Sequence, residues 1–122
     1  MEIKVNNGIA VIQSDEIIIT DTQSALDLMA TVRYEAGCDN IAISKTAVSE
    51  RFFDLSSGIA GDILQKFVNY RVKLAIIGDY SVYTSNSLKD FIRESNKGSH
   101  IFFVENEDEA IAKLAYCKGE TR

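Results

Sequence analysis

The chain has 122 residues, of which 46% are hydrophobic and 25% are charged, and its formal net charge is −5. This length and this apolar content are typical of one globular domain, residues 1–122, and they exclude a disordered chain. One histidine and two cysteines are too few for a disulfide scaffold or a metal centre built on these side chains, so no metal and no cofactor is predicted.

The negative charge is concentrated in the first half of the chain. Residues 1–61 carry nine acidic and four basic side chains, whereas residues 62–122 carry nine of each. An acidic chain lacks the basic surface that neutralises phosphates, so nucleic acid is not an expected partner. The N-terminal residues lack a signal-peptide pattern, and no apolar run approaches the ~20 residues of a membrane helix. With Cys38 and Cys117 read as reduced thiols, these features predict a cytoplasmic protein without membrane contact.

The first half of the chain predicts a hairpin, a helix and a strand. Residues 2–5 and 8–12 are β-type segments, and the Asn-Gly pair between them is a strong hairpin signal. Residues 16–19 are either a third strand or the lead into the first helix. Asp21 or Thr22 caps that helix, which Gly37 ends.

The remaining elements alternate. Each strand is a short β-rich apolar run, and each helix has apolar residues recurring on one face. The connection at residues 45–51 is helical or irregular. Predicted strands cover residues 40–44, 72–77 and 101–104, and predicted helices cover residues 57–71, the segment capped by Ser85 or Ser87, and the segment after Asn106.

This order predicts an α/β fold in a single domain. An N-terminal β-hairpin is followed by αβαβαβα, and strands that alternate with helices imply parallel pairing through right-handed crossovers. We therefore expect a mixed, mostly parallel sheet with flanking helices, in which the hairpin supplies an antiparallel edge.

A first candidate site lies where the helix of residues 57–71 begins. A helix N-terminus exposes unpaired N–H groups and stabilises an anion, including a phosphate on Ser57. The same residues also fit a structural role, in which Ser56 or Ser57 is the N-cap and the glycines permit close packing. The candidates are Asp54, Ser56, Ser57, Gly58, Gly61 and Asp62.

A second candidate site follows the predicted strands, because ligands of open α/β sheets gather at the carboxyl ends of strands. An ordinary polar turn fits this segment as well. His100, at a strand entrance, is interpreted as a surface histidine. The candidates for this second site are Ser44, Asn69, Tyr70, Asp79 and Tyr80.

Two stretches of the sequence are distinctive, namely FFDLSSGIAGDILQKFVNYRVKLAIIGDYS and SLKDFIRESNKG. They resemble a bacterial family named domain of unknown function family 4180, and this resemblance covers most of the chain and implies no particular activity. The element order is more distantly similar to that of STAS domains, found in anti-sigma factor antagonists and sulphate transporter tails. Those domains carry a phosphorylatable Ser or Thr in an Asp-Ser-[Ser/Thr]-Gly-[Leu/Ile]-Gly-like turn, which Asp54, Ser57, Gly58 and Ile59 match. The resemblance implies a STAS-like fold with Ser57 as the regulated hydroxyl.

Three functions are compatible with these features. The first is a non-enzymatic STAS-like regulatory or protein-interaction module, which would dock a protein partner near Ser57 and be switched by phosphorylation there. The alternative is a small-molecule-binding protein or small enzyme with its site around Asp79. A homodimer formed through exposed aromatic side chains is the third. Because the sequence offers no convincing acid–base pair, it favours binding over catalysis. The aromatic candidates are Phe52, Phe53, Tyr80 and Tyr83, of which Phe52 and Phe53 are expected to be at least half core.

Overall fold

A five-stranded sheet organises the chain, and the computed structural model describes residues 1–115 of it. The first two strands pair antiparallel as a hairpin, and all other neighbours pair parallel. The predicted α/β architecture, with an N-terminal hairpin and a mixed, mostly parallel sheet, is confirmed. In order across the sheet, the strands are β1 (Glu2–Asn6), β2 (Ile9–Gln13), β3 (Asn40–Ser44), β4 (Leu74–Ile77) and β5 (Ile101–Val104). The helices are α1 (Thr22–Ala36), α2 (Ile59–Asn69), α3 (Asn86–Lys97) and α4 (Glu107–Ala115).

Both faces of strands β2 to β5 are buried, which explains why these strands read as continuous apolar runs. One face packs against α1, α2 and α3, and the other packs against α4. On the α4 face, β3 and β4 each present an alanine, Ala42 and Ala75, so the helix can lie close to the centre of the sheet. Phe102 and Val104 of β5 complete that second core.

The helix starts follow ordinary capping chemistry. Asp21, rather than Thr22, caps α1, because its carboxylate accepts from the Ser24 N–H at 2.8 Å and Ser24 Oγ accepts from the Asp21 N–H in return. Ser85 caps α3 and accepts from the Leu88 N–H at 3.2 Å. The Asn106 side chain accepts from the Glu109 N–H at 2.8 Å, as the sequence predicts for α4.

Residues 16–19 lead into α1 and are not a third strand. Ile18 and Ile19 both donate their N–H groups to the Ala47 carbonyl, and one isolated bridge joins Ile19 to Val48. The connection after β3 consists of three short 3₁₀ turns, which supports the helical reading of this segment. The turns cover Lys45–Ala47, Glu50–Phe53 and Leu55–Ser57.

The aromatic side chains at Phe52 and Phe53 are core residues, 1% and 5% exposed. The expectation that these two side chains belong largely to the core is therefore confirmed, and an exposed self-association surface does not include them. Cys38 is a buried free thiol, and Cys117 lies outside the described residues. Among residues 1–115, none of the helices combines the length and the apolar composition that crossing a bilayer requires.

The outer edge of β5 is occupied by side chains. Asn96 of α3 places its amide beside Phe103, where Oδ1 accepts from the Phe103 N–H at 2.7 Å and Nδ2 donates to the Phe103 carbonyl at 3.1 Å. The carboxylate of Glu109 accepts from the Glu105 N–H at 2.8 Å. These two side chains satisfy backbone groups that a neighbouring strand would otherwise satisfy.

Candidate functional site

The turn before α2 is held together by Asp54. Its carboxylate accepts from the Ser56 N–H at 3.2 Å and from the Ser56 hydroxyl at 2.6 Å, and it caps the 3₁₀ turn Leu55–Ser57. Asp54 and Ser56 are both exposed, so this pair lies on the surface. The chain folds this way because Asx side chains readily bond to the backbone two residues further on.

The Ser57 hydroxyl ties three segments together. It lies 2.9 Å from the Arg51 carbonyl and 2.8 Å from the Asp54 carbonyl, to which its hydrogen is donated. Its oxygen also accepts from the Ile59 N–H at 3.2 Å. Ser57 is half-buried, in contrast to the exposed Ser56. The hydroxyl of Ser57 thus joins two 3₁₀ turns to the start of α2.

The N-cap of α2 is Gly58, so the sequence interpretation that Ser56 or Ser57 caps the helix is wrong. Gly58 has φ 78°, a left-handed conformation that side chains with a Cβ adopt at a cost, and it makes no side-chain cap bond. The helix accordingly begins at Ile59, two residues later than predicted, and ends at Asn69.

Gly61 and Asp62 lie exposed on the first turn of α2, next to the Ser57 turn. The packing explanation for a glycine is wrong at Gly61, because a Cβ built there meets nothing within 4 Å. Asp62 is the acidic residue of the first turn, where a negative side chain stabilises the helix dipole. The first candidate set is therefore brought together on one surface, which we call the Ser57 surface (Asp54, Ser56, Ser57, Gly58, Gly61 and Asp62).

The second candidate set is divided between two edges of the sheet. Ser44, Asp79 and Tyr80 lie at or just beyond the carboxyl ends of β3 and β4, as predicted. Asn69 and Tyr70 end α2 just before β4 begins, so they lie at the opposite edge, and their grouping with Asp79 is wrong. The predicted element order already implies this separation, because a helix that ends directly before a strand ends at the amino edge of the sheet, whereas Asp79 follows that strand at the carboxyl edge.

Each residue at the carboxyl edge has a local partner. The Asp79 carboxylate accepts from the Ser81 hydroxyl at 2.6 Å and from the Ser81 N–H at 2.9 Å, and these bonds hold the pKa of Asp79 below its usual range. The Ser44 hydroxyl lies 2.9 Å from the Thr46 hydroxyl. These hydrogen bonds stabilise the turns that follow β3 and β4.

Two residues that the sequence did not single out, Lys45 and Glu50, form a cluster at the same edge with the aromatic candidate Tyr83. The Tyr83 hydroxyl donates to the Glu50 carboxylate at 3.0 Å, and Lys45 Nζ lies 3.5 Å from that carboxylate. Lys45 Nζ also lies 5.0 Å from the centre of the Tyr83 ring, a cation–π distance. A hydrogen bond with Tyr83 and the nearby Glu50 charge raise the pKa of Lys45.

Phe53 links this cluster to the Ser57 surface. Its ring stacks on Tyr83 at 5.3 Å between centroids and packs near Tyr80 at 6.1 Å, while Arg51 in the same 3₁₀ turn contacts Ser57. The two candidate segments are therefore neighbours joined through the turn Glu50–Phe53. Lys45 and Glu50 give no sequence signal, and the sequence marks Tyr83 only as an aromatic candidate, because the contact between residues 50 and 83 exists only in the folded chain.

The described residues include no group of three or more His, Cys, Asp or Glu side chains placed to hold a metal ion. His100 precedes β5, at the opposite edge from Ser57, and its Nδ1 lies 3.4 Å from the Ser99 hydroxyl. The histidine is thus remote from both candidate segments at the carboxyl edge.

Comparison with known proteins assigns the chain to a family. A family model described as Domain of unknown function (DUF4180) matches residues 4–114. The chain belongs to this family. Searches of curated proteins and of solved structures gave no match. The DUF4180 match covers β1 from residue 4 onward, the other four strands in full and both candidate segments, so the Ser57 surface lies within the matched part of the chain.

Tyr80 is expected to make the stability of this DUF4180 member depend on pH. Its hydroxyl donates to the Ile76 carbonyl at 2.6 Å, and burial raises the pKa of the phenol above its ordinary value of 10.0. The folded protein favours the protonated phenol, whereas the phenol of the unfolded chain ionises above pH 10. The contribution of buried Tyr80 to the free energy of unfolding is therefore complete below pH 10 and is lost as the pH rises above it. Between pH 9 and 11, wild-type unfolding free energy should fall about 1 kcal/mol more than that of Tyr80→Phe.

Urea denaturation at pH 9, 10 and 11 measures this difference. The hydrogen bond that Tyr80→Phe loses lowers its stability at every pH, so only the difference in slope is informative. Parallel stability curves for the two proteins would contradict the prediction.

Proposed function

We propose that this protein is a non-enzymatic, STAS-like regulatory module that binds a protein partner through the Ser57 surface, and that phosphorylation of Ser57 releases the partner. The observation that carries the proposal is the bonding of the Ser57 hydroxyl to Arg51, Asp54 and Ile59. A single hydroxyl that joins three segments is a place where one modification alters a whole surface.

Phosphorylation would act on this junction in two ways. It removes the hydroxyl hydrogen, and it adds between one and a half and two negative charges close to the carbonyl oxygens of Arg51 and Asp54. These oxygens repel the phosphate, whereas the N–H groups that open α2 attract it. The turn therefore rearranges, and the surface that a partner recognises changes shape as well as charge.

The surrounding charge favours release over attachment. Asp54 and Asp62 flank Ser57, and both are exposed. A phosphate adds to this negative surface and repels any acidic group that a partner brings close to it. The resemblance of the turn to the phosphorylated turn of STAS domains, and the alternation of strands and helices around it, support the same reading.

The test combines modification and capture. Incubation of the protein with native lysate and ATP, followed by mass spectrometry, should detect phosphate on Ser57. Wild type and Ser57→Thr, which keeps a hydroxyl, should capture the same partner, and Ser57→Asp should lose it. Ser87→Asp is the matched control, since it makes the same substitution at an exposed position of α3 outside the Ser57 surface.

Two results would overturn the proposal. One is a protein in which Ser57 is never modified and Ser57→Asp captures every partner of the wild type. The other is equal loss of the partner in Ser87→Asp and Ser57→Asp, which would mean that added negative charge anywhere on the protein has the same effect.

Stability gives an independent measure of the junction. Ser57→Ala removes the hydroxyl from two carbonyls and an N–H group, and we expect the free energy of unfolding to fall by about 1 kcal/mol. Ser56→Ala removes one exposed hydroxyl bond to Asp54 and should cost less than about 0.5 kcal/mol. Urea denaturation of both variants decides this, and an equal cost for the two would contradict the assigned role of Ser57.

A further inference from the structure

A groove of about 470 Å³ lies along the outer side of the sheet, between α4 and the end of α3. Its polar wall includes Lys97 at the end of α3, and Lys73 lies where β4 begins. Its other wall is α4, which contributes Glu109, Ala112 and Lys113. The groove therefore opens near the amino ends of β4 and β5, across the sheet from the Ser57 surface.

The groove has an aromatic lining residue. Phe102 of β5 belongs to the second core and lines the groove with the 6% of its surface that is exposed, and Ala112 on α4 adds only a methyl group to the lining. Lys113 Nζ lies 5.6 Å from the centre of the Phe102 ring, so a cation already sits against the aromatic surface. This combination favours an occupant with a flat apolar part.

The charged groups of the groove favour an anion. Three lysines and one glutamate line it, in a protein whose formal net charge is −5. The glutamate, Glu109, accepts from the Glu105 N–H at 2.8 Å, so its carboxylate is engaged at the start of α4. Lys97 Nζ lies 3.5 Å from the Glu94 carboxylate in an exposed ion pair, which stabilises little and leaves other hydrogens of the ammonium group for an anion.

A peptide strand does not fit this place. Adding a strand to β5 requires its outward backbone groups, and the Asn96 amide takes both of those at Phe103. A small molecule held by the ring and the ammonium groups does not need these backbone groups, so Asn96 does not hinder it.

We propose that this groove is a binding site for a small organic anion with a flat aromatic ring system. This site is separate from the proposed partner surface, and neither requires the other. The ring packs beside Phe102, and the acidic group of the ligand lies among the lysine ammonium groups.

The probe for the test is 8-anilinonaphthalene-1-sulfonate, an aromatic sulfonate whose fluorescence rises when it leaves water. We expect saturable one-to-one binding to the full chain. Ala112→Glu, which adds bulk and negative charge inside the groove, should weaken binding at least about tenfold, and Lys113→Glu should weaken it several-fold. Both positions are exposed on α4, and circular dichroism checks that each variant folds. Lys97→Glu, which reverses a charge on the α3 side of the groove, should also weaken binding of the sulfonate.

Two matched controls separate this groove from other surfaces. Ala30→Glu makes the same change in a second apolar groove, between α1 and the end of α2, and should leave binding within about twofold. Lys89→Glu reverses a charge at an exposed α3 position outside the groove and should also have little effect. N-phenyl-1-naphthylamine, with the same rings and no charge, should bind more weakly than the sulfonate.

Three results would overturn the proposal. The first is the absence of saturable binding. The second is loss of binding in Ala30→Glu together with normal binding in Ala112→Glu. The third is equal affinity for the charged and the uncharged probe, which would mean that the lysines do not select an anion.

Discussion

Replacing Phe52 by alanine should lower the free energy of unfolding by about 3–5 kcal/mol, the largest effect that we expect of any single change discussed for this protein. The Phe52 side chain is 1% exposed. Its ring meets Phe53 edge-on at 5.1 Å and lies 6.3 Å from Phe103, so it joins the 3₁₀ turn Glu50–Phe53 to the sheet. Alanine leaves a cavity at this junction, because the sheet on one side cannot collapse into it.

Urea denaturation measures this loss, with Tyr34→Ala as the control. Tyr34 is 90% exposed on α1, so its truncation removes a ring from water and should change stability by less than about 0.5 kcal/mol. If Phe52→Ala and Tyr34→Ala have similar stabilities, the turn does not depend on this ring.

Gly78→Ala should lower the free energy of unfolding by about 1–3 kcal/mol. A Cβ at Gly78 would lie 2.6 Å from Lys45 Cβ and 2.8 Å from Lys45 Cδ. Because Lys45 Cβ is fixed to the backbone where β3 ends, the clash is relieved only by movement of the strand ends. That movement would also carry Lys45 away from Glu50 and Tyr83.

Gly61→Ala is the matched control for this change. A Cβ at Gly61 meets nothing within 4 Å, and alanine is the better helix former by about 1 kcal/mol, so the variant should be slightly more stable than the wild type. Chemical denaturation compares the two variants, and a stable Gly78→Ala protein would show that the Lys45 contact is loose.

The sequence predicts the elements of this fold well because its local signals are strong. Asn7-Gly8 between two apolar runs specifies the hairpin, and the continuous apolar runs specify strands buried on both faces. For α1 and α3 the sequence allows two N-cap residues each, Asp21 or Thr22 and Ser85 or Ser87. In the structure the N-cap of each helix is the residue whose side chain accepts a hydrogen bond from the N3 N–H, namely Asp21 and Ser85.

The first residue of α2 and the arrangement of the candidate site are harder to predict from the sequence, because contacts between distant segments of the chain determine them. A serine before an amphipathic helix predicts a cap, but Ser57 is drawn to the carbonyls of Arg51 and Asp54 instead, and Gly58 takes the cap position. The sequence predicts the Ser57 turn as a candidate site, because the segment is rich in hydroxyl groups and contains glycine. The sequence does not predict the hydrogen bond between Glu50 and Tyr83, because these residues are far apart in the chain and no local pattern relates them.

The side chains that occupy the β5 edge limit how copies of this protein can join strand to strand. Growth of a filament by sheet extension needs two available edges on every copy, so that each newly added copy offers a fresh one. Here Asn96 blocks the centre of the β5 edge, which leaves β1 as the outer strand for such pairing. Two copies that meet through β1 have each used that strand, so strand-to-strand association ends at a closed pair.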